Sequence, residues 1–234
     1  MSRSEAQGWD EIWGRWGGIW ESRAPEQAVL DLAARLKAEG RRRVHDLGCG
    51  PGRHLLFLAA EGFEASGSDF SPAAVDTCRR RLEEAGLSAP VTLADMTALP
   101  SEDESLDAVV AWDVVYHGTL DTIRRTVEGV RRKLAPGGYF LVTFNPVEHD
   151  GCRRAREAVA RGEGEELEPD TFVVPGDAFD KSVPHHYTTE REIRERLMDG
   201  FRILSLTAVR GEATSDRSPT VKYHVLAVRE DEPE

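Results

Sequence analysis

The sequence predicts an α/β fold built on a doubly wound, mostly parallel seven-stranded sheet with an antiparallel last strand. Three observations support this fold class: short apolar blocks alternate with longer stretches of helical spacing, a glycine-rich turn follows the first block, and two apolar runs close the chain. The chain has 234 residues, which suffice for one α/β domain and are too few for two with ordinary linkers.

The predicted strands are short apolar blocks bounded by turn residues. They cover Val44–Leu47, Glu64–Ser68, Val91–Ala94, Leu106–Trp112, Tyr139–Phe144, Phe201–Val209 and Val221–Val228. The last two flank a polar segment, Arg210–Thr220, which favours a closing antiparallel hairpin.

Helices are predicted where apolar residues recur at helical spacing between capping and stop residues. They cover Leu30–Lys37, His54–Ala60, Ser71–Leu82, Thr119–Leu134 and Thr189–Met198. Ser71-Pro72 supplies an N-cap and a first-turn proline, and Gly40, Gly62 and Gly86 follow helix ends. Residues 145–188 read as a mixture of loop and helix.

Charge and composition restrict the class of partner. Lys and Arg number 30 against 42 Asp and Glu, a formal charge of -12. Such an acidic chain is a poor ligand for nucleic acid or an anionic membrane, so neither is expected as a partner. No apolar run approaches a membrane span, the first residues lack a signal peptide, and three separated cysteines suggest neither a disulfide scaffold nor a zinc site. A soluble, cytoplasmic protein is therefore expected.

The strongest local signal is the turn after the first strand, where Gly48, Gly50 and Gly52 precede a helix. Glycines let a ligand approach the backbone, and the N–H groups of the turn and helix start face it. A dinucleotide-binding turn spaces its glycines as G-x-G-x-x-G, whereas Arg53 here takes the place of the third glycine. The spacing therefore disfavours a bound pyrophosphate.

Four motifs in register make the chain resemble the class I S-adenosylmethionine-dependent methyltransferases. These are Asp46-Leu47-Gly48-Cys49-Gly50-Pro51-Gly52, Gly67-Ser68-Asp69-Phe70-Ser71, Ala94-Asp95-Met96 and Leu134-Ala135-Pro136-Gly137-Gly138-Tyr139. The pattern is also similar to the tellurite-resistance-like and ubiquinone-biosynthesis-like members. The resemblance implies a Rossmann-like methyltransferase fold that binds S-adenosylmethionine and releases S-adenosylhomocysteine.

The resemblance also implies a set of donor-binding residues. Asp69 matches the carboxylate that holds the ribose hydroxyls, Asp95 matches the acid that accepts from the adenine amino group, and Met96 lies against the ring. The full predicted set is Asp46, Gly48, Cys49, Gly50, Asp69, Phe70, Asp95, Met96 and Trp112. Cys49 is included in this set only as a small side chain that fills space in the loop, because methyl transfer needs no thiol there.

The segment after the fourth strand is expected to face the methyl acceptor, since ligands bind beyond the carboxyl ends of strands where strand order reverses. Asp113 is predicted to bind the acceptor, and Tyr116 and His117 are the candidate catalytic residues, with His117 as base. The alternative for His117 is a helix-capping or solvated side chain.

Four tryptophans lie near the N-terminus with offsets of 4, 7 and 11, which would place them on one helical stripe. The stripe is either an aromatic face packed on the domain or a lid that excludes water from the reaction. Trp13, Trp16 and Trp20 are accordingly predicted to bind substrate. The expected organisation is a lid segment over 1–24, the methyltransferase domain over 25–229 and a frayed tail over 230–234.

The insert 145–188 is predicted to cap the acceptor side, with His185 and His186 binding substrate. Neighbouring histidines also invite a metal site with Asp113, Asn145, His149 and Asp150, but this set lacks the tight acidic cluster of the metal-dependent members, and no metal is predicted. Asn145-Pro146 resembles the Asn-Pro-Pro-aromatic motif of amino-methylating DNA enzymes, yet it follows the fifth strand instead of the fourth.

The expected function is transfer of the methyl group of S-adenosylmethionine to an N, O or S nucleophile of a small molecule by in-line displacement. Two alternatives from other classes stay open: a non-catalytic S-adenosylmethionine-binding regulator or partner subunit, and an NAD-dependent oxidoreductase. The sequence is compatible with a monomer or a homodimer.

Overall fold

The computed structural model of the chain describes residue 13 and residues 24–175, 183–211 and 220–230. Its strands are β1 (Arg43–Leu47), β2 (Glu64–Asp69), β3 (Val91–Leu93), β4 (Leu106–Ala111), β5 (Leu134–Pro146), β6 (Glu165–Glu168), β7 (Thr171–Val173), β8 (His185–Thr188), β9 (Phe201–Arg210) and β10 (Val221–Arg229). Its helices are α1 (Gln27–Ala38), α2 (Arg53–Ala60), α3 (Pro72–Glu84), α4 (Leu120–Lys133), α5 (Asp150–Ala160) and α6 (Glu190–Glu192), which continues as a π-helix over Ile193–Leu197.

Seven strands form the main sheet in the order β3-β2-β1-β4-β5-β10-β9. Strands β1 to β5 pair in parallel, and β10 runs antiparallel to both β5 and β9. Strand order reverses between β1 and β4, as in a doubly wound sheet. The predicted fold class, including the antiparallel last strand, is confirmed.

Helices cover both faces of this sheet, because successive side chains of β4 pack against helices on opposite faces. All six residues of β4 are buried. Ala108 and Val110 pack with α1, α2 and α3, whereas Val109 and Ala111 pack with α4 and the π-helix. Successive side chains of a strand point to opposite faces, so a continuous apolar strand signals a sheet covered on both sides.

The fifth strand begins earlier than its sequence predicts. Leu134 already pairs with Leu106, and the next pair is Ala108 with Tyr139, so the register shifts between them. This irregularity accommodates the Pro136-Gly137-Gly138 turn within the strand, where the sequence indicated a break before Tyr139.

The insert contains more strand than the predicted mixture of loop and helix. Helix α5 is followed by the antiparallel pair β6–β7, and β8 pairs antiparallel with β7 and parallel with the last two residues of β5. These strands have three or four residues each, and β6 is highly charged, so the sequence has no apolar alternation from which they could be predicted.

Capping residues start the helices where the sequence placed them. The hydroxyls of Ser71, Thr119 and Thr189 accept backbone N–H groups at the starts of α3, α4 and α6. Within the described ranges, every helix is too short or too polar to cross a bilayer. The predicted lid segment, apart from Trp13 and Ala24, and residues 231–234 lie outside the described residues, and Trp16 and Trp20 lie there too.

Candidate functional site

The glycine turn after β1 has the left-handed backbone that only glycine adopts without strain. Gly48, Gly50 and Gly52 have φ angles of 66°, 54° and 89°. A Cβ on Gly48 would lie 2.2 Å from Val114 Cγ2, in the segment after β4. The glycine turn and the segment after β4 are therefore in direct contact, and a side chain at position 48 would push them apart.

Trp13 lies against the same turn. Its ring atom Cη2 is 3.0 Å from the position that a Cβ on Gly50 would take. The sequence assigned Trp13 to substrate binding as part of a lid, and the structure places its indole against the middle glycine of the turn.

Asp69 ties the glycine turn to the end of β2. Its Oδ2 accepts the backbone N–H of Gly50 at 2.8 Å, and its Oδ1 accepts the backbone N–H of Ser71 at 2.9 Å. Phe70, between Asp69 and the N-cap of α3, is half-buried. This carboxylate thus helps to set the shape of the turn.

Asp46 is a buried acid of the site with a strongly raised pKa. It is buried at the end of β1, and the backbone N–H of Leu55 hydrogen-bonds its carboxylate. Among the described residues, no group hydrogen-bonds its Oδ2. Burial raises the pKa of Asp46 to about 7, and the charge of Asp69 adds to this while Arg53 opposes it. A buried acidic oxygen without a partner indicates a site for a cation or a hydrogen-bond donor.

Cys49 and Met96 fill space around this loop. The Cys49 thiol donates to the Gly50 carbonyl at 3.7 Å. The neighbouring Cys78 thiol and burial raise the pKa of Cys49 well above its usual value. Such a thiol is unreactive, in agreement with a filler role. Met96 is buried after β3, beside Asp95, whose Oδ1 accepts the backbone N–H and hydroxyl of Thr97 at 2.9 and 2.8 Å.

Trp112 is buried directly after β4 and lies between two imidazole rings. Its ring lies edge-to-face with His224 at 4.5 Å and with His54 at 6.0 Å between centroids. Burial, with the nearby charge of Arg53, lowers the pKa of His54 to about 3, so this ring is neutral at physiological pH.

Asp113, in the segment after β4, has an unusual backbone conformation. Its φ is 61°, which a non-glycine residue rarely adopts. Its N–H donates to Thr143 Oγ1 at 2.8 Å, and Lys222 Nζ donates to its carboxylate. Burial opposes ionisation, but the Lys222 charge and hydrogen bond hold the pKa of Asp113 below its ordinary value. Backbone strain of this kind persists where surrounding contacts fix it, often at functional sites.

Lys222 is a residue of the candidate site that sequence reasoning missed. It lies on β10, 109 positions from Asp113. The available signal was one charged residue within the apolar run Val221–Val228, which reads equally well as an exposed strand position.

Tyr116, His117 and His185 form an aromatic cluster over the same edge of the sheet. Ring centroids are 4.4 Å apart for Tyr116 and His117 and 4.6 Å apart for His117 and His185. Burial raises the pKa of Tyr116 well above its usual value, so the hydroxyl stays protonated. The two predicted catalytic residues and His185 of the insert are therefore neighbours.

His186 lies beside this cluster and faces the other way. Its Nδ1 is 2.7 Å from Thr171 Oγ1 in the insert, and its Nε2 is 3.2 Å from Glu192 Oε2 in α6. Both ring nitrogens therefore have partners. Its backbone N–H donates to the Tyr116 carbonyl at 2.9 Å. His186 thus anchors the insert to the acceptor segment through its backbone.

Comparisons with known proteins agree with this architecture. Residues 44–138 match the family described as a methyltransferase domain. The chain is 34% identical over 104 residues to a ubiquinone biosynthesis O-methyltransferase of Methylocella silvestris, over 44% of this chain and 40% of that protein. It is 35% identical over 135 residues to a trans-aconitate 2-methyltransferase of Methylobacterium nodulans, over 56% of this chain and 49% of that protein.

These matches span less than half the length of the curated relatives. Among solved structures, the magnesium protoporphyrin IX methyltransferase of Synechocystis with bound S-adenosylhomocysteine has a TM-score of 0.69 and 19% identity, covering 96% of this chain and 99% of that chain. This likeness extends the agreement in fold to nearly the whole chain.

Proposed function

We propose that this chain, whose residues 44–138 belong to the class I methyltransferases, transfers the methyl group of S-adenosylmethionine to a small molecule. The observation that carries the proposal is the buried Asp46 carboxylate beside three left-handed glycines, with one oxygen lacking a partner among the described residues. A cationic ligand against this turn would satisfy that oxygen and favour its ionised form.

The residues of the loop fit S-adenosylmethionine. Asp46 would face its cationic end, Asp69 its ribose hydroxyls and Asp95 its adenine amino group. Gly48 and Gly50 let the ligand approach the turn, and the Trp13 ring beside Gly50 would exclude water from it. When bound, this cofactor supplies a methyl group already activated on a sulfonium.

The chain's remaining task is to align the acceptor and receive its proton. The segment after β4 contacts the glycine turn through Val114 and Gly48, and this contact supports a role for Tyr116 and His117 beside the proposed donor site. His117 is the proposed base, and the Asp113–Lys222 pair holds the segment in place. Alignment in a water-excluding site accounts for most of the rate gain such a reaction needs.

The test combines calorimetry with turnover. S-adenosylhomocysteine should bind the wild-type chain, and Asp69→Ala should weaken binding by roughly 1.5–3 kcal/mol for each charge-assisted hydrogen bond lost. Asp76→Ala, which removes an exposed carboxylate of α3, is the control and should leave the affinity unchanged. Release of S-adenosylhomocysteine from S-adenosylmethionine, followed with fractionated metabolite pools, identifies the acceptor.

Two outcomes overturn the proposal. Tight binding of NADH without binding of S-adenosylhomocysteine would replace it with an oxidoreductase. Binding of the cofactor without turnover on any pool would replace it with a regulatory subunit. His117→Ala tests whether His117 acts as the base. If the variant keeps both the turnover rate and its pH profile, His117 is not the base.

A further inference from the structure

Two hydrogen bonds join the insert to the short segment that carries His117. The backbone N–H of His186 donates to the Tyr116 carbonyl at 2.9 Å. On the other side, Glu168 Oε1 accepts the backbone N–H of Leu120 at 2.5 Å. The first bond lies directly before His117, and the second lies at the start of α4. The insert therefore holds this segment at both of its ends.

The N–H of Leu120 depends on an acceptor outside its own helix. Leu120 is the first residue of α4, and the first N–H groups of a helix have no intrahelical acceptor. The hydroxyl of the N-cap residue Thr119 accepts the N–H of Thr122 at 3.4 Å. Glu168 thus supplies an acceptor from β6, and its negative charge lies at the positive end of the α4 dipole, where a carboxylate is favoured.

Thr171 orients the Glu168 carboxylate and links the two bonds to each other. Its hydroxyl donates to Glu168 Oε1 at 3.2 Å, and the same oxygen lies 2.7 Å from His186 Nδ1. Thr171 and His186 are 0% and 2% exposed, so water competes little for these groups. One continuous hydrogen-bond network therefore runs through the insert from the start of α4 to the residue that bonds the Tyr116 carbonyl.

The held segment has few means of fixing its own shape. It contains Gly118, whose backbone is intrinsically freer than that of other residues. The His117 ring within it is 4% exposed and lies 4.6 Å from the His185 ring, which also belongs to the insert. A misplacement of about 1 Å in a reacting group can cost about a hundredfold in rate. The position of the His117 ring thus depends on the bonds that flank it.

We propose that Glu168 is a positioning residue of the methyl-transfer reaction, which fixes the start of α4 and so holds the His117 imidazole in place for the acceptor. This inference rests on the proposed function, in which His117 is the base. Glu168 acts through the Leu120 N–H and touches neither substrate. Its loss should therefore reduce turnover without changing the affinity for the methyl donor.

The first experiment follows the full chain by NMR, free and saturated with S-adenosylhomocysteine. In the wild type, the Leu120 amide should exchange its hydrogen roughly tenfold or more slowly than that of Asp121, relative to intrinsic rates, because Glu168 bonds only the former. Glu168→Ala should remove this difference and shift the ring resonances of His117. Glu168→Gln keeps an oxygen that can accept the Leu120 N–H, so it should restore both observations in large part.

The second experiment measures release of S-adenosylhomocysteine with a metabolite pool that supports turnover. Glu168→Ala should lower kcat roughly tenfold or more and leave the KM for S-adenosylmethionine unchanged, and Glu168→Gln should recover most of the rate. Glu165→Ala is the matched control, because it removes an exposed carboxylate from the same strand. It should leave the exchange, the His117 resonances and kcat unchanged.

Two results overturn the inference. The first is a Leu120 amide that exchanges as fast as that of Asp121 in the wild type, which decides the matter whether or not the variants fold. The second is a Glu168→Ala variant whose His117 resonances match those of the wild type. If S-adenosylhomocysteine does not bind or no pool supports turnover, the proposed function fails instead. Exchange and ring resonances of the free chain still report whether Glu168 fixes His117, so the two failures are distinguishable.

Discussion

Replacing Asp46 by asparagine is expected to stabilise the folded chain above neutral pH and to weaken its binding of S-adenosylhomocysteine. Burial raises the pKa of this carboxyl from 3.8 to about 7. The unfolded chain releases the proton near pH 4, while the folded chain keeps it until about pH 7. The free energy of unfolding therefore falls as pH rises through this interval, and the loss is complete above pH 7.

The size of the effect follows from these two values. At 1.36 kcal/mol for each tenfold difference in acidity, ionised Asp46 costs about 4 kcal/mol above pH 7. The asparagine amide still accepts the Leu55 N–H but buries an unpaired donor, at a cost of about 1–3 kcal/mol. A net gain of about 1–3 kcal/mol remains at pH 8, which raises Tm by about 2–12 °C for a chain of this size. At pH 5 the gain should vanish.

The assay is thermal or urea unfolding of the variant and the wild type at pH 5 and pH 8, with calorimetry of S-adenosylhomocysteine at pH 8. Loss of the charged partner should weaken binding roughly tenfold or more. A Tm that falls at pH 8, or a difference between variant and wild type that is the same at both pH values, would refute the reasoning.

Asp107→Asn is the matched control with the opposite sign. Burial opposes ionisation of Asp107 too, but the Arg43 guanidinium and the backbone N–H groups of Arg42 and Arg43 hold its pKa at about 2. Ionised Asp107 therefore stabilises the fold above its unfolded pKa, and this contribution is lost as pH falls toward 2. The control should destabilise the chain at pH 8 and leave S-adenosylhomocysteine binding unchanged.

Further predictions concern the turn, the core and the insert. Gly48→Ala should destabilise the chain by about 1–3 kcal/mol and weaken S-adenosylhomocysteine binding in calorimetry. Adding Val114→Ala relieves the 2.2 Å contact and should recover part of the lost stability. Burial lowers the pKa of His45 from 6.5 to about 4, so the folded state resists protonation of this ring. The free energy of unfolding should therefore fall as pH drops below 6.5, and it should fall less in His45→Gln. An NMR titration midpoint of His45 near 6.5 would contradict this. Glu168→Ala removes the carboxylate that accepts the Leu120 N–H at 2.5 Å and should speed proteolysis within the insert while leaving S-adenosylhomocysteine affinity unchanged.

The donor side was predictable from sequence because its residues follow one another along the chain. Gly48 and Gly50 follow Asp46 closely in the sequence, and glycine permits their left-handed conformations. Asp69 required only that β1 and β2 pair in parallel, which the strand–helix alternation already implied.

The acceptor side was predictable only in part, because its contacts join residues far apart in the sequence. Lys222 reaches Asp113 because β10 inserts beside β5, and periodicity alone does not say which strand enters at that place. The orientation of His186 depended on Thr171, which belongs to a three-residue strand without apolar alternation.

The short strand β8 bears on how acceptor preference can evolve in this fold. Its alternation sends the His185 ring toward His117 and the His186 ring toward Thr171 and Glu192. A slip of one residue against β5 would exchange these two faces, since side chains alternate along a strand. A single insertion or deletion before β8 would thus present a different side chain to the acceptor while Asp46, Asp69 and the glycine turn stay untouched. Substrate choice and cofactor choice can therefore diverge independently among descendants of this chain.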